Sequence, residues 1–229
     1  LMARLYGTNN MPDCSNMCHE SSGSALGPTI GIGKGTVTLE DFYQSEAIFV
    51  LGQNPGTNHP RMLSALQTCK RNGGKIVSVN PLKEAGLLGF AHPQEISGLM
   101  GKATDLTDQF VQVRINGDQA YLKGLGKVIL ESTDRIDRKF IEEHTAGFEE
   151  YLKATESLEW DAITSLSGVA EEEIRKSAEI LVDAQSAIFC WAMGLTQHEN
   201  AVATIQEIVN LQLMLGNLGK VNIIKRPHL

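Results

Sequence analysis

The amino-acid sequence predicts an α/β domain with a mainly parallel sheet and helices on both faces, a doubly wound, Rossmann-like arrangement. Short, wholly apolar runs at 47–51 and 187–191 suit strands that are buried on both faces. These runs alternate with longer amphipathic patterns that are typical of helices. The chain has 229 residues, of which 42% are hydrophobic, so it can bury the core of one large α/β domain.

The chain divides into three parts by composition. Residues 7–35 are rich in Gly, Ser, Asn and Pro and weakly periodic, so we expect residues 1–36 to form an irregular segment with one short helix at most, which carries the candidate metal-ligand motif. Residues 37–220 are expected to form the α/β domain, and residues 221–229 a tail. The domain should begin with a short helix capped by Thr38, because Asp41 stands at the capping-box distance.

A βαβ unit follows this first helix. An apolar strand at 47–51 leads through a loop at 52–58 into an amphipathic helix at 59–72. Gly73-Gly74 is a helix stop, and the next strand is expected at 75–79. This order within about 33 residues is typical of parallel strands joined by a crossover helix.

The remaining sequence continues the alternation. Many glycines and no clear period over 82–108 predict an irregular excursion with one short helix. The later elements are a third strand at 110–113, a helix at 118–131, helices over 135–184 broken at Gly147 and near 165–168, a fourth strand at 187–191, and a helix from about 199 to 215.

Polar loops follow three of the predicted strands. In open parallel sheets, ligands bind outside the carboxyl ends of the strands. Each loop taken alone could equally be an ordinary connection, but three at corresponding positions favour a ligand of nucleotide size. His59 could contact that ligand or merely start its helix. The candidate binding residues are Gly52, Asn54, Thr57, Asn58, His59, Asn80, Gly194, Thr196 and Gln197.

The glycines at 31–35 do not form a known phosphate loop. A dinucleotide fingerprint needs a strand immediately before it, and none is predicted there. A Walker loop needs Ser or Thr directly after Gly-Lys, and Gly35 follows Lys34 instead.

The segment from Cys14 to His19 carries the densest reactive chemistry. A zinc site would want another close pair of ligands, and Cys69 and Cys190 are each single. A cysteine hydrolase with Cys18 as nucleophile would need a remote histidine as base. The third possibility is a structural cysteine pair beside a solvated histidine. The spacing alone leaves all three open.

Composition excludes several classes of function. Lys and Arg number 20 and Asp and Glu 27, a net charge of −7, which disfavours a nucleic-acid partner. No run of about 18 apolar residues exists, so no membrane span is expected. Four cysteines and an N-terminus without a secretory leader favour a cytoplasmic location.

Five segments in order resemble the molybdopterin oxidoreductase superfamily, and most of all its formate dehydrogenase-like alpha subunits. They span nearly the whole chain, and together they are far more specific than any one alone. The segments are Cys14-Ser15-Asn16-Met17-Cys18-His19, the stretch 51–60, Lys70-Arg71-Asn72-Gly73-Gly74-Lys75-Ile76, the stretch 191–197, and Gly216-Asn217-Leu218-Gly219-Lys220.

The resemblance implies a cofactor and roles for particular residues. It implies molybdenum held by two molybdopterin guanine dinucleotides (bis-MGD), with Cys18 as the thiolate ligand of the metal and His19 as the neighbouring proton carrier. The strand-end loops and Asn217 would hold the pterin and the dinucleotide. It also implies a small-molecule substrate that is oxidised or reduced by two electrons, and an electron-transfer partner.

The sequence also departs from the family pattern. Asn80-Pro81-Leu82 stands where the family has Asp-Pro-Arg, so one charge and one arginine contact are lost. The family's [4Fe–4S] cysteines and its C-terminal domain are not found in this sequence, and residues 221–224 differ from the usual continuation. We therefore expect about a third of a larger enzyme, inactive alone, with Cys18 a free thiol on a surface loop. Any [4Fe–4S] cluster would lie in a preceding part. The alternative is a non-catalytic α/β nucleotide-binding or interaction domain.

Overall fold

A computed structural model describes residues 2–11 and 13–219. The strands are β1 (Ala47–Leu51), β2 (Lys75–Val79), β3 (Gly89–Phe90), β4 (Thr104–Asp105), β5 (Gln109–Val111) and β6 (Ala187–Trp191). The helices are α1 (Met2–Leu5), α2 (Cys14–Cys18), α3 (Glu20–Ile30), α4 (Leu39–Gln44), α5 (Pro55–Asn58), α6 (Pro60–Arg71), α7 (Ala85–Leu88), α8 (Ile96–Leu99), α9 (Asp118–Glu131), α10 (Arg138–His144), α11 (Phe148–Glu156), α12 (Trp160–Ser167), α13 (Glu171–Asp183), α14 (Met193–Thr196) and α15 (Ala201–Met214), with a 3-10 turn at Thr133–Arg135.

Four parallel strands form the main sheet in the order β5-β2-β1-β6. Strand β1 pairs in register with both neighbours, so that Ala47 lies opposite Lys75 and Ala187. The expected parallel sheet is confirmed, including the adjacency of its three longer strands. The short strands β3 and β4 pair antiparallel within the excursion that follows β2.

Both faces of the sheet are covered by helices because its central strand is apolar at every position. Phe49 points into the larger core with α9, α12, α13 and α15, and its ring stacks on that of Phe189 at a centroid distance of 4.7 Å. Ile48 and Val50 point to the opposite face and pack with α6. All five residues of β1 are buried, as the pattern predicts.

The expectation of an irregular segment over 1–36 is wrong in its secondary structure, since helices α1, α2 and α3 lie there. Helix α3 buries Ala25 and Leu26 against Ile205 and Val209 of α15. This tertiary packing stabilises a helix whose own periodicity is weak and which contains Pro28. The domain boundary at residue 36 stays a prediction, and the proposed tail at 221–229 lies outside the described residues.

Most other expected elements are found within two residues of their predicted limits. The capping box of Thr38 and Asp41 is present, and the helical stretch after 135 breaks at Gly147 and Gly168 as expected. The third strand begins at Gln109 instead of residue 110 and ends at Val111. Within the described residues, no helix is both long and apolar enough to cross a bilayer.

Candidate functional site

The polar loops after β1, β2 and β6 leave the same edge of the sheet. Leu51 pairs with Val79 and with Trp191, so the three strands end side by side at their carboxyl ends. The structure therefore brings the three predicted loops to one edge, which is where open parallel sheets bind their ligands.

The loops after β1 and β6 are in direct backbone contact. The amide of Gly194 donates to the carbonyl oxygen of Gly52 over 3.1 Å. A Cβ at Gly194 would lie 2.5 Å from that oxygen, and Gly52 has a φ of +56°. Glycine is required at both positions, since a side chain on either would push the loops apart.

The loop after β1 also approaches the excursion that follows β2. Asn54 caps the turn α5 by accepting the amide of Thr57 over 3.3 Å. A Cβ at Gly56 would lie 2.5 Å from the Cα of Gly86. The next three residues of the loop, Thr57, Asn58 and His59, have exposed side chains that a ligand can reach.

Asn80, the candidate residue at the end of β2, is buried. Its side-chain amide donates to the carbonyl oxygen of Leu82 over 2.7 Å and to the carboxylate of Glu84 over 3.0 Å. Both amide hydrogens therefore close its own loop, which leaves its side-chain oxygen as the group that could meet a ligand. Leu82, at the family's arginine position, is exposed.

The loop after β6 holds the cysteine segment by its backbone. The hydroxyl of Thr196 donates to the carbonyl oxygen of Cys18 over 2.5 Å, and the side-chain amide of Gln197 donates to the carbonyl oxygen of Met17, also over 2.5 Å. In return, the hydroxyl of Ser21 donates to the carbonyl oxygen of Thr196 over 2.9 Å. Two residues predicted to touch the cofactor thus anchor the predicted metal ligand.

Cys18 is the last residue of α2 and is partly buried, so the expectation of a loop position is wrong. Asp13 caps this helix by accepting the amide of Asn16 over 2.9 Å, which explains why a polar segment is helical here. An open cleft of about 430 Å³ is lined by Cys18 together with Thr196 and Gln197.

His19 lies at the junction of α2 and α3, where its ring is exposed. The ring nitrogen Nε2 lies 3.5 Å from the hydroxyl oxygen of Ser15. The same residue lines a second, mostly apolar cavity of about 280 Å³ with Trp191 and Leu26. Beside this cavity, the indole of Trp191 donates to the hydroxyl of Ser22 over 2.9 Å.

The structure does not bring Asn217 to this site. Helix α15 runs back along the sheet after β6, and the side chain of Gln212 near its end donates to the carbonyl oxygen of Ala187, where β6 begins. Asn217 donates to Gln212 over 2.9 Å. It therefore lies at the amino edge, opposite the other candidates, because a crossover helix returns the chain to the start of the strands.

Sequence reasoning missed the loop that follows β5. Asn116 has a φ of 64°, and Asp118 opens α9 with only 4% of its surface exposed. Desolvation by burial raises the pKa of Asp118 to about 6. The sequence signal that could have found this loop is Gly117-Asp118, which stands between the third strand and the helix that follows it. The strand-end rule applies to this loop as it does to the other three.

The fold places the chain in the class of doubly wound α/β domains whose polar loops gather at one edge of a parallel sheet. The chain belongs to the molybdopterin oxidoreductase family, since the family model for molybdopterin oxidoreductases matches residues 1–226. The resemblance inferred from the five sequence segments is thereby confirmed.

Two relatives and one solved structure describe this membership further. The chain is 49% identical to an uncharacterized oxidoreductase of Mycobacterium tuberculosis, over 96% of this chain and 29% of that protein. It is 30% identical to formate dehydrogenase H of Escherichia coli, over 94% of this chain and 28% of that enzyme. Acetylene hydratase from Pelobacter acetylenicus shares the fold, with a TM-score of 0.74 at 21% identity over 94% of this chain and 27% of that one. The chain spans less than a third of each.

Proposed function

We propose that this chain is the part of a molybdenum bis-MGD-dependent oxidoreductase that supplies the metal's cysteine ligand and part of the dinucleotide site. The observation that carries the proposal is the pair of hydrogen bonds from Thr196 and Gln197 to the segment that ends at Cys18. These hydrogen bonds tie the proposed metal ligand to the loop after β6. That loop would therefore help to position both the metal and the dinucleotide.

The residues present fit such a cofactor. Cys18 offers a soft thiolate at an open cleft, and thiolates are suitable ligands for a thiophilic metal. Thr57, Asn58 and His59 offer exposed hydrogen-bonding groups at the same sheet edge, which suits a nucleotide. Gly52 and Gly194 keep the backbone free of side chains where the two loops meet.

Each residue has a distinct task in the proposed mechanism. When bound, the molybdenum centre would supply the two-electron oxidation or reduction of a small substrate. Cys18 would hold the metal, while Thr196 and Gln197 fix the segment that ends at Cys18 through backbone carbonyl oxygens. His19, exposed beside Cys18, takes or returns the substrate proton at its imidazole.

The similarity to formate dehydrogenase H supports a small substrate of the same kind. We further propose that other domains of the full-length protein complete the site, that an electron-transfer partner exchanges the electrons, and that a [4Fe–4S] cluster lies in a preceding domain. The four cysteines described here are free thiols, which agrees with a cytoplasmic location.

The metal ligand is tested by X-ray absorption on the full-length protein. Replacing the thiolate in Cys18→Ser should remove one sulfur from the molybdenum shell and most of the activity, while much of the pterin stays bound. Cys14→Ser should leave the molybdenum shell unchanged. An unaltered shell and preserved activity in Cys18→Ser would refute the assignment and make the segment structural.

The proton carrier is tested by kinetics of the same protein. His19→Ala should retain molybdenum and lose roughly 10²-fold or more in rate.

Molybdenum and pterin content, measured by elemental analysis and by fluorescence after oxidation, decides the class of protein. A full-length protein that carries neither, after production in a molybdenum-replete host, would favour a non-catalytic α/β binding domain.

A further inference from the structure

The thiol of Cys14 is not needed for the proposed molybdenum centre, yet it lies beside the proposed ligand. The sulfur atoms of Cys14 and Cys18 and a ring nitrogen of His19 all lie within 4.8 Å of one another. Cys14 is exposed, unlike Cys69, which is fully buried and donates to the carbonyl oxygen of Ser45. We propose that Cys14, Cys18 and His19 form a binding site for Zn²⁺ in the cofactor-free protein.

The local backbone explains how three donors converge in six residues. Cys14 and Cys18 are four residues apart on α2 and so lie on the same side of the helix. A continuous helix would turn His19 about 140° away from Cys14. His19 instead leaves the helix, with φ −142° and ψ 18°, and its ring lies near Ser15 on the side of the two thiols.

The donor set and its spacing suit zinc. The site offers two cysteine sulfurs and one histidine nitrogen, and these are the usual ligand atoms of zinc in proteins. Their bonds to zinc are about 2.3 Å for sulfur and about 2.0 Å for nitrogen. Those bond lengths place the tetrahedral donors about 3.5–3.8 Å apart, so atoms that now lie within 4.8 Å of one another must draw together by up to about 1 Å. They can do so by side-chain rotation, because Cys14 and His19 are exposed and Cys18 is only partly buried, and the fourth position stays open to water.

The segment is held in place before any metal binds. Asp13 caps the start of α2, and Thr196 and Gln197 hold the carbonyl oxygens at its end. Zinc therefore binds a formed turn and does not have to order a free chain. Because Cys18 belongs to both sites, zinc and molybdenum exclude each other there. The zinc site itself does not depend on the proposed function.

The test uses the full-length protein produced in a molybdate-starved host and chemically reduced, so that it carries no molybdenum cofactor. Competition with a zinc-chelating dye measures the affinity, and Co²⁺ as a substitute reports sulfur ligation through its charge-transfer absorption. We expect Cys14→Ser, Cys14→Ala and His19→Ala each to weaken Zn²⁺ binding by at least about 100-fold. Mutating a residue that only hydrogen-bonds to a metal ligand already lowers metal affinity by about 10–100-fold, and these variants remove a ligand itself. The Co²⁺ charge-transfer band should weaken in both Cys14 variants.

The control is Met17→Leu, which changes an exposed side chain of the same helix turn without removing a proposed donor. It should bind Zn²⁺ as the wild type does. Failure of the wild type to take up Zn²⁺, or equal affinity in wild type and both Cys14 variants, overturns the proposal. Loss of the molybdenum assignment would leave this result unaffected, because no molybdenum is present in the assay.

Discussion

Gly194→Ala tests whether the contact between the loops after β1 and β6 fixes the geometry of the site. A Cβ at this position would lie 2.5 Å from the oxygen of Gly52, whereas ordinary contact begins at 3.4 Å, so the loops must separate by about 0.9 Å. Such overpacking costs about 1–3 kcal/mol. The hydrogen bond between the two glycines would also be lost, adding about 0.5–1.5 kcal/mol.

We therefore expect Gly194→Ala to lower the free energy of unfolding by about 1.5–4.5 kcal/mol, measured by urea denaturation of the chain. The shift should also strain the bond from Thr196 to Cys18, so the full-length protein should retain less molybdenum. Gly27→Ala is the matched control, since Gly27 lies in α3 with no atom near the added Cβ. It should be neutral or gain up to about 1 kcal/mol. An unchanged urea midpoint in Gly194→Ala would refute the reasoning.

Two further predictions concern buried carboxyl groups. The pKa of Asp118 is about 6 in the folded chain against an ordinary 3.8, so stability should fall by about 3 kcal/mol as the pH rises from about 4 to above 6. Asp118→Asn should abolish this slope in urea unfolding measured across that range, and an unaltered slope would exclude Asp118 as its source. The hydroxyl of Tyr151 donates to the buried carboxylate of Glu207 over 2.5 Å, and Lys123 lies 3.3 Å from its other oxygen. Tyr151→Phe leaves that carboxylate short of a donor and should destabilise the chain by about 1.5–3 kcal/mol, and equal urea midpoints would contradict this.

The parallel sheet could be predicted from the sequence because its determinants are local. Five apolar residues in a row at 47–51 leave no polar face, so the strand must be covered on both sides wherever it lies. The helix break at Gly147, the helix stop at Gly168 and the capping box of Thr38 are likewise properties of a few adjacent residues. Such signals hold whatever the chain packs against.

The site was only partly predictable, because its decisive contacts join residues far apart in sequence. The strand-end rule gathered Gly52 and Gly194 at one edge, but no local pattern indicates that Thr196 bonds to the carbonyl of Cys18, 178 positions away. The same limit explains Asn217, which a motif grouped with the loops although α15 carries it to the opposite edge.

The sequence by itself determined the four strands of the main sheet, the longer helices that follow residue 37 and the polar loops at the strand ends, since these depend on side-chain periodicity and turn chemistry. Only the tertiary structure decided that α3 is a helix, because its stability comes from packing Leu26 against α15. Only it decided that Cys14, Cys18 and His19 share one side of a turn, because the backbone angles of His19 depend on how α2 and α3 meet the loop after β6.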